Sequence, residues 1–139
     1  MNIYLNFDGQ TEEAFNFYKS VFGGEFKSMQ RMKDAPGAEK LSPEEQNFIM
    51  HCALPIGNNQ LMGTDIIKSQ GHTLTVGTNV NVSINADTED DAKKIFTKLA
   101  EGGKIEMPIE KAFWGDLFGS LKDKFGIQWM IVYSYNQQN

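Results

Sequence analysis

The chain writes one pattern twice. The stretch "DGQTEEAFNFYKSVFGG" from Asp8 and the stretch "ADTEDDAKKIFTKLAEGG" from Ala86 share a threonine, an acidic turn, an apolar stripe and a closing glycine pair. In the first, Thr11 is the expected N-cap and Glu12 and Glu13 complement the positive helix end. Ala14, Phe17, Tyr18 and Val21 then follow at helical spacing. In the second, Thr88 caps, Glu89, Asp90 and Asp91 are acidic, and Ala92, Ile95, Phe96 and Leu99 repeat the stripe at a constant offset of 78 (14 to 92, 21 to 99). Gly23-Gly24 and Gly102-Gly103 stop the two helices, because glycine accepts the left-handed conformation that ends them.

An alternating strand precedes each helix. Ile3, Leu5 and Phe7 in the first copy, and Val80, Val82 and Ile84 in the second, are expected to pack under their helices. The intervening residues look out of the other face: Asn2, Tyr4, Asn6 and Asp8, and then Asn79, Asn81, Ser83 and Asn85. Three further strand-like segments follow each helix, "EFKSMQRM", "NFIMHCALPI" and "QLMGTDI", then "KIEMPIEKAF", "GDLFGSLKD" and "IQWMIVYSY". A polar, Pro-bearing loop from Lys33 to Glu45 and a "GNN" turn separate the first three. The chain therefore reads as α+β, with two βαβββ modules at about 1–67 and 77–135 and a connector at about 68–76. Sheets covered on one side by a helix are expected to curl, their polar faces lining a shared cleft.

Composition narrows the partners. Thirteen Lys+Arg against eighteen Asp+Glu give a net charge of -5, opposite to the footprint of a nucleic-acid binder. No run of about 18 apolar residues and no basic leader is present, so a soluble, cytoplasmic protein without membrane contact is expected. The single cysteine, Cys52, excludes an internal disulfide and sits in an apolar run, which favours an inert buried thiol.

The segments "YLNFDGQTEEAFNFYKSVFGGE", "IMHCALPI", "LMGTD" and "FWGDLFGSLKDKFGIQWMI" resemble the PhnB-like branch of the vicinal oxygen chelate superfamily. That superfamily includes glyoxalase I, extradiol dioxygenases and the bleomycin resistance proteins, and the resemblance runs from Ile3 to about Tyr133. It implies curved mixed sheets around a cleft and a homodimer. It also implies metal positions on the first and last strand of each module, matched here by Tyr4 (or Asn2), Met62, Asn79 and Met130. Thioethers and neutral amides suit a divalent ion poorly, so no metal and no cofactor is expected. The branch often carries a 3-demethylubiquinone 3-methyltransferase-like label. The chain has no G-x-G-x-x-G element to bring a backbone close to such a cofactor, which argues against that activity.

The candidate residues follow from strand parity and from that match. His51, strand-borne, and Asp65, at the expected cleft rim, are the catalytic candidates, although a histidine bonded to backbone and an aspartate bonded in a turn are the plainer alternatives. Tyr4, Asn6, Met62, Asn79, Asn81, Trp114, Gln128 and Met130 are the candidate ligand contacts, Trp114 as a wall or lid and Gln128 as a donor. Trp129 has the opposite parity and reads as core, Glu106 and Glu110 as an exposed edge strand, and His72 as a surface residue. Three readings result: a small-molecule binder lacking the usual metal ligands, with or without turnover of an unidentified metabolite, a metal-dependent lyase or isomerase with a nonstandard shell including His51, and a non-catalytic sequestration protein of the bleomycin-resistance type.

Overall fold

The computed structural model describes residues 1–135, and the chain divides into one compact unit from Met1 to Thr75 and a second from Val76 onward. The first contains β1 (Ile3–Phe7), α1 (Thr11–Phe22), β2 (Ser28–Arg31), a four-residue α2 (Pro43–Gln46), β3 (Ile49–Ile56) and β4 (Asn59–Asp65). The second contains β5 (Val82–Asn85), α3 (Glu89–Leu99), β6 (Lys104–Lys111), β7 (Leu117–Lys122) and β8 (Gln128–Tyr133). Each unit is a four-stranded mixed sheet, in the orders β1-β4-β3-β2 and β5-β8-β7-β6. In both, the first strand runs parallel to the last while the other pairs are antiparallel. The βαβββ reading holds in both halves.

Alternation decides what each sheet buries. Leu5 and Phe7 of β1, Cys52 and Leu54 of β3 and Leu61 of β4 are buried, with α1 packed on β3 and β4 through Thr11, Ala14, Phe15 and Tyr18. The expected stripe is rotated: Phe15 is fully buried, whereas Phe17 and Val21 are only half-buried. Gly63 of β4 explains the rotation. A Cβ there would lie 2.5 Å from a ring carbon of Phe15, so only glycine lets that ring seat on the strand. Gly119 of β7 does the same for Phe96 of α3, with 2.7 Å to its ring. In the second unit Val82, Leu117, Leu121, Trp129 and Ile131 face Ala92, Phe96 and Leu99, and Trp129 is core as its parity predicts.

Two features of the repeat are corrected. Thr11 is not a cap but the first helical residue; its N–H and hydroxyl both donate to Asp65 Oδ1, at 3.0 and 2.6 Å. Thr88 does cap α3, accepting from Asp91 N–H at 3.0 Å. The strand expected from Val80 begins only at Val82, and Val80 is 70% exposed instead of packing under α3. A buried carboxylate organises each unit. Asp65 also accepts from Ile49 N–H at 2.8 Å, tying the ends of three elements together. Asp123 accepts from Phe125 and Ile127 N–H and from Trp129 Nε1–H at 2.8 to 3.0 Å, closing the β7–β8 turn.

These contacts set three outcomes. Asp65→Ala orphans three buried donors and is expected to lower unfolding free energy by about 3 kcal/mol in urea titrations. Gly63→Ala forces Phe15 off its seat and costs about 1–3 kcal/mol by the same measurement. Cys52 is buried, and burial pushes its thiol up to about 12, so the folded protein binds a proton that the unfolded chain releases nearer 9. Stability is therefore expected to fall as pH rises from 9 towards 12. Cys52→Ala should show a shallower fall over that interval.

Candidate functional site

The face of the first sheet opposite α1 carries the polar set. Strand register places Tyr4 beside Met62, Asn6 beside Thr64, and His51 beside Gln30 of β2. The Tyr4 hydroxyl and His51 Nδ1 are 2.9 Å apart, and the two rings stack with centroids separated by 5.7 Å. Burial, with Cys52 as the lesser cause, pushes the Tyr4 phenol above its ordinary value. The phenol therefore keeps its proton, and the bond forms with either group as donor according to the imidazole tautomer. The plainer alternative, a histidine spent on backbone, does not describe His51.

Beside this pair lies a groove of about 730 Å³, within the range of small-ligand sites. Asn6, Thr64 and His72 are among its polar residues, and Met32, Met50 and Leu74 among its apolar ones. Met50 joins them through an irregularity. Gln30 pairs with His51 but Arg31 pairs with Ile49, leaving Met50 as the extra residue of a bulge that breaks strict alternation. The loops bounding the groove are tied down. Ser42 and Glu45 form a capping box on α2, and Glu45 accepts from the Ser69 hydroxyl at 2.7 Å, which with its other hydrogen bonds holds that carboxyl below its ordinary range. Arg31 bonds Glu12 of α1 and the Asn47 carbonyl, fixing the end of β2.

The remaining expected contacts divide. Met62 is half-buried on the Tyr4 face, and Met130 is half-buried on the outward face of the second sheet, paired with Ser83 and Ser120. Asn79 and Asn81 are exposed and precede β5 instead of lying in it. Gln128 is buried, and its amide donates to the Val80 carbonyl at 2.7 Å, so it holds the approach to β5 instead of standing as an open donor. Trp114 is 53% exposed at the tip of the β6–β7 hairpin, where its ring meets Phe113 and Phe118. β6 is the exposed edge strand that Glu106 and Glu110 imply.

Asp65 requires a correction. It is 3% exposed and its carboxylate takes three donors on the α1 side of the sheet, whereas His51 faces the other way with Tyr4. A shared His51–Asp65 shell is excluded by that parity, and so is Asp65 as an open rim acid. The metal positions implied by the superfamily resemblance do not fit a divalent ion either. Register sets Tyr4 against Met62 in one unit and Ser83, not Asn79, against Met130 in the other: a phenol, a hydroxyl and two thioethers. Among the described residues no group of three or more His, Cys, Asp or Glu is placed to hold a metal ion. None of their helices is long and apolar enough to cross a membrane.

Comparison with known proteins agrees with this architecture. Residues 1–132 match the family described as 3-demethylubiquinone-9 3-methyltransferase. Protein YjdN of Escherichia coli K12 is 29% identical over 133 residues, covering 92% of this chain and 90% of its own. The structure of protein PA1353 from Pseudomonas aeruginosa is similar at 31% identity and a TM-score of 0.85, with 96% of each chain covered. A putative 3-demethylubiquinone-9 3-methyltransferase, a PhnB protein from Bacillus cereus, is similar at 27% identity and 0.78, covering 96% of this chain and 98% of that one. A glyoxalase-related enzyme from Fulvimarina pelagi, 17% identical with a TM-score of 0.61 over 95% of this chain and 86% of that one, shares the fold alone. A glyoxalase-like α+β fold matched along nearly its whole length places this chain in the 3-demethylubiquinone-9 3-methyltransferase-like (PhnB) family.

Proposed function

We propose that the protein binds a small organic molecule on the first sheet, with the Tyr4–His51 pair as its polar centre and the neighbouring groove as its seat. The observation carrying this reading is the 2.9 Å Tyr4–His51 bond on a sheet face that α1 leaves uncovered, next to about 730 Å³ of open groove. Polar pairs placed beside apolar walls are how small proteins orient ligands. If the bound molecule reacts, His51 is the group that exchanges a proton with it, its ring oriented by the Tyr4 hydroxyl bonded at Nδ1. No step is routed through a metal, since the donor set does not fit one.

The methyltransferase description of the family does not extend to chemistry here. A methyl donor bound on a nucleotide-type fold needs a glycine-rich strand-to-helix turn. Gly23, Gly24 and Gly102 follow α1 and α3 with φ of 73° to 83°, ending helices instead of opening them. A cytoplasmic homodimer completes the proposal. The exposed Phe113, 98% accessible, and Trp114 beside it supply apolar surface for association. Pro108 and the register shifts of β6 disfavour pairing along that strand's edge.

A thermal-shift screen against a metabolite panel tests the binding reading. A ligand present at 100 times its Kd is expected to stabilise by about 2.7 kcal/mol. Tyr4→Phe and His51→Ala should each reduce that ligand-induced shift while leaving the unliganded melting temperature within a few degrees. Full shifts retained in both variants would remove the pair from the site. Sedimentation at micromolar concentration should give twice the chain mass, and a monomer there would refute the dimer.

A further inference from the structure

His72 lines the groove, and the reading above gives it no task. It follows a 3-10 turn, Lys68–Gln70, and Gly71, whose φ of 85° reverses the chain. Ile67 grips it at two points: the Ile67 carbonyl accepts from His72 N–H at 3.3 Å, and Ile67 N–H donates to His72 Nδ1 at 3.2 Å. An N–H can donate to Nδ1 only where a lone pair stands, so the ring carries its proton on Nε2. With Nδ1 turned to the backbone, the Nε2–H edge is the one left to the groove that His72 lines.

The rest of the lining selects the partner of that N–H. Met32, Met50 and Leu74 make an apolar wall, and two thioethers let it adapt in shape. The Thr64 hydroxyl already donates to the Met50 carbonyl at 2.8 Å, so it offers the groove only lone pairs. Among the described residues no Lys or Arg lines the groove, and the one acidic residue there, Asp65, has a carboxylate engaged by three donors. An anionic ligand would enter without a counter-charge in a chain of net charge -5, and an ammonium would find no open carboxylate. We propose that the groove takes an uncharged carbonyl compound with an apolar body, its oxygen accepting from His72 Nε2–H. This rests on the small-molecule reading and narrows it to a ligand class.

The test uses the full chain labelled with 15N and three probes of similar length: 2-heptanone, hexanoate and hexylamine. Titration with 2-heptanone is expected to move the Thr64 amide and the His72 ring nitrogens, with the free ring already in the Nε2–H form. Hexanoate and hexylamine are expected to bind at least about fivefold more weakly, the scale of one net hydrogen bond. His72→Ala should weaken 2-heptanone by a similar factor, and His72→Gln, which restores an N–H donor, should recover most of it. The inference is overturned by a charged probe binding as tightly as the ketone, by an Ala variant of unchanged affinity, by a Gln variant as weak as the Ala variant, or by no probe moving the groove. Probes that bind the groove without these preferences defeat only the ligand class. A metabolite screen indifferent to Tyr4 and His51 defeats the wider reading.

Discussion

The Asp65 carboxylate stands where the ends of α1, β3 and β4 meet, and the first unit depends on it. Its two oxygens accept from the start of α1, through both the N–H and hydroxyl of Thr11, and from the first residue of β3. Helix N-termini leave backbone donors without partners, and a buried donor left open costs about 1–3 kcal/mol. The carboxylate supplies what no side chain at the helix start supplies, since Gln10 makes no capping bond there. A negative group at that end also lies favourably in the field of the helix. The last strand is thereby locked to the first helix, and the parallel β1–β4 pairing follows in register from Ile3–Leu61 to Phe7–Asp65.

Fixing Asp65 on the helix side also decides what the other face can be. Strand alternation sends Thr64 and Met62 outward together with Tyr4 and Asn6, and nothing from α1 covers them. The bulge at Met50 then turns one extra thioether to that side, and the Glu45–Ser69 bond holds the turn that carries His72. Asn6, an apolar wall of Met32, Met50 and Leu74, and a backbone-gripped imidazole come together in one groove, while the Tyr4–His51 pair lies on the same sheet face. The second unit reaches a similar sheet by a different internal bond, with Asp123 clasping its own turn and the Trp129 indole. The two halves repeat a topology without repeating the interaction that secures it.

Much of this was legible because it is periodic. Leu5 and Phe7 inward against Tyr4 and Asn6 outward, Trp129 in the core, β6 as an edge and the Thr88 cap all follow from spacing within a few residues. Tyr4 and Asn6 share a face for the same reason, whereas the face that His51 takes is fixed by its pairing with Gln30 and its bond to Tyr4. The misses occur where a distant partner or a local irregularity overrides the period. Phe15 displaces Phe17 from the stripe because Gly63 leaves it room, and Met50 enters the groove through a bulge. Gln128 is spent on Val80, and Asp65 leaves the list of open acids because Thr11, 54 residues away, claims it. His72 is exposed, as its sequence setting suggests, but nothing in "SQGHTLT" announces that Ile67 will bond its ring.

The sequence alone determined the two βαβββ units, which strand faces are polar, and the poor metal-binding chemistry of Tyr4, Met62, Asn79 and Met130. Each rests on side-chain type and on a period of 2 or 3.6 that the local backbone imposes. Only the tertiary structure decided which polar groups remain open to a ligand. Hydrogen bonds are consumed pairwise between residues remote in the chain: Asp65 and Gln128 are used up inside the fold, while the His51 and His72 rings are each held at Nδ1.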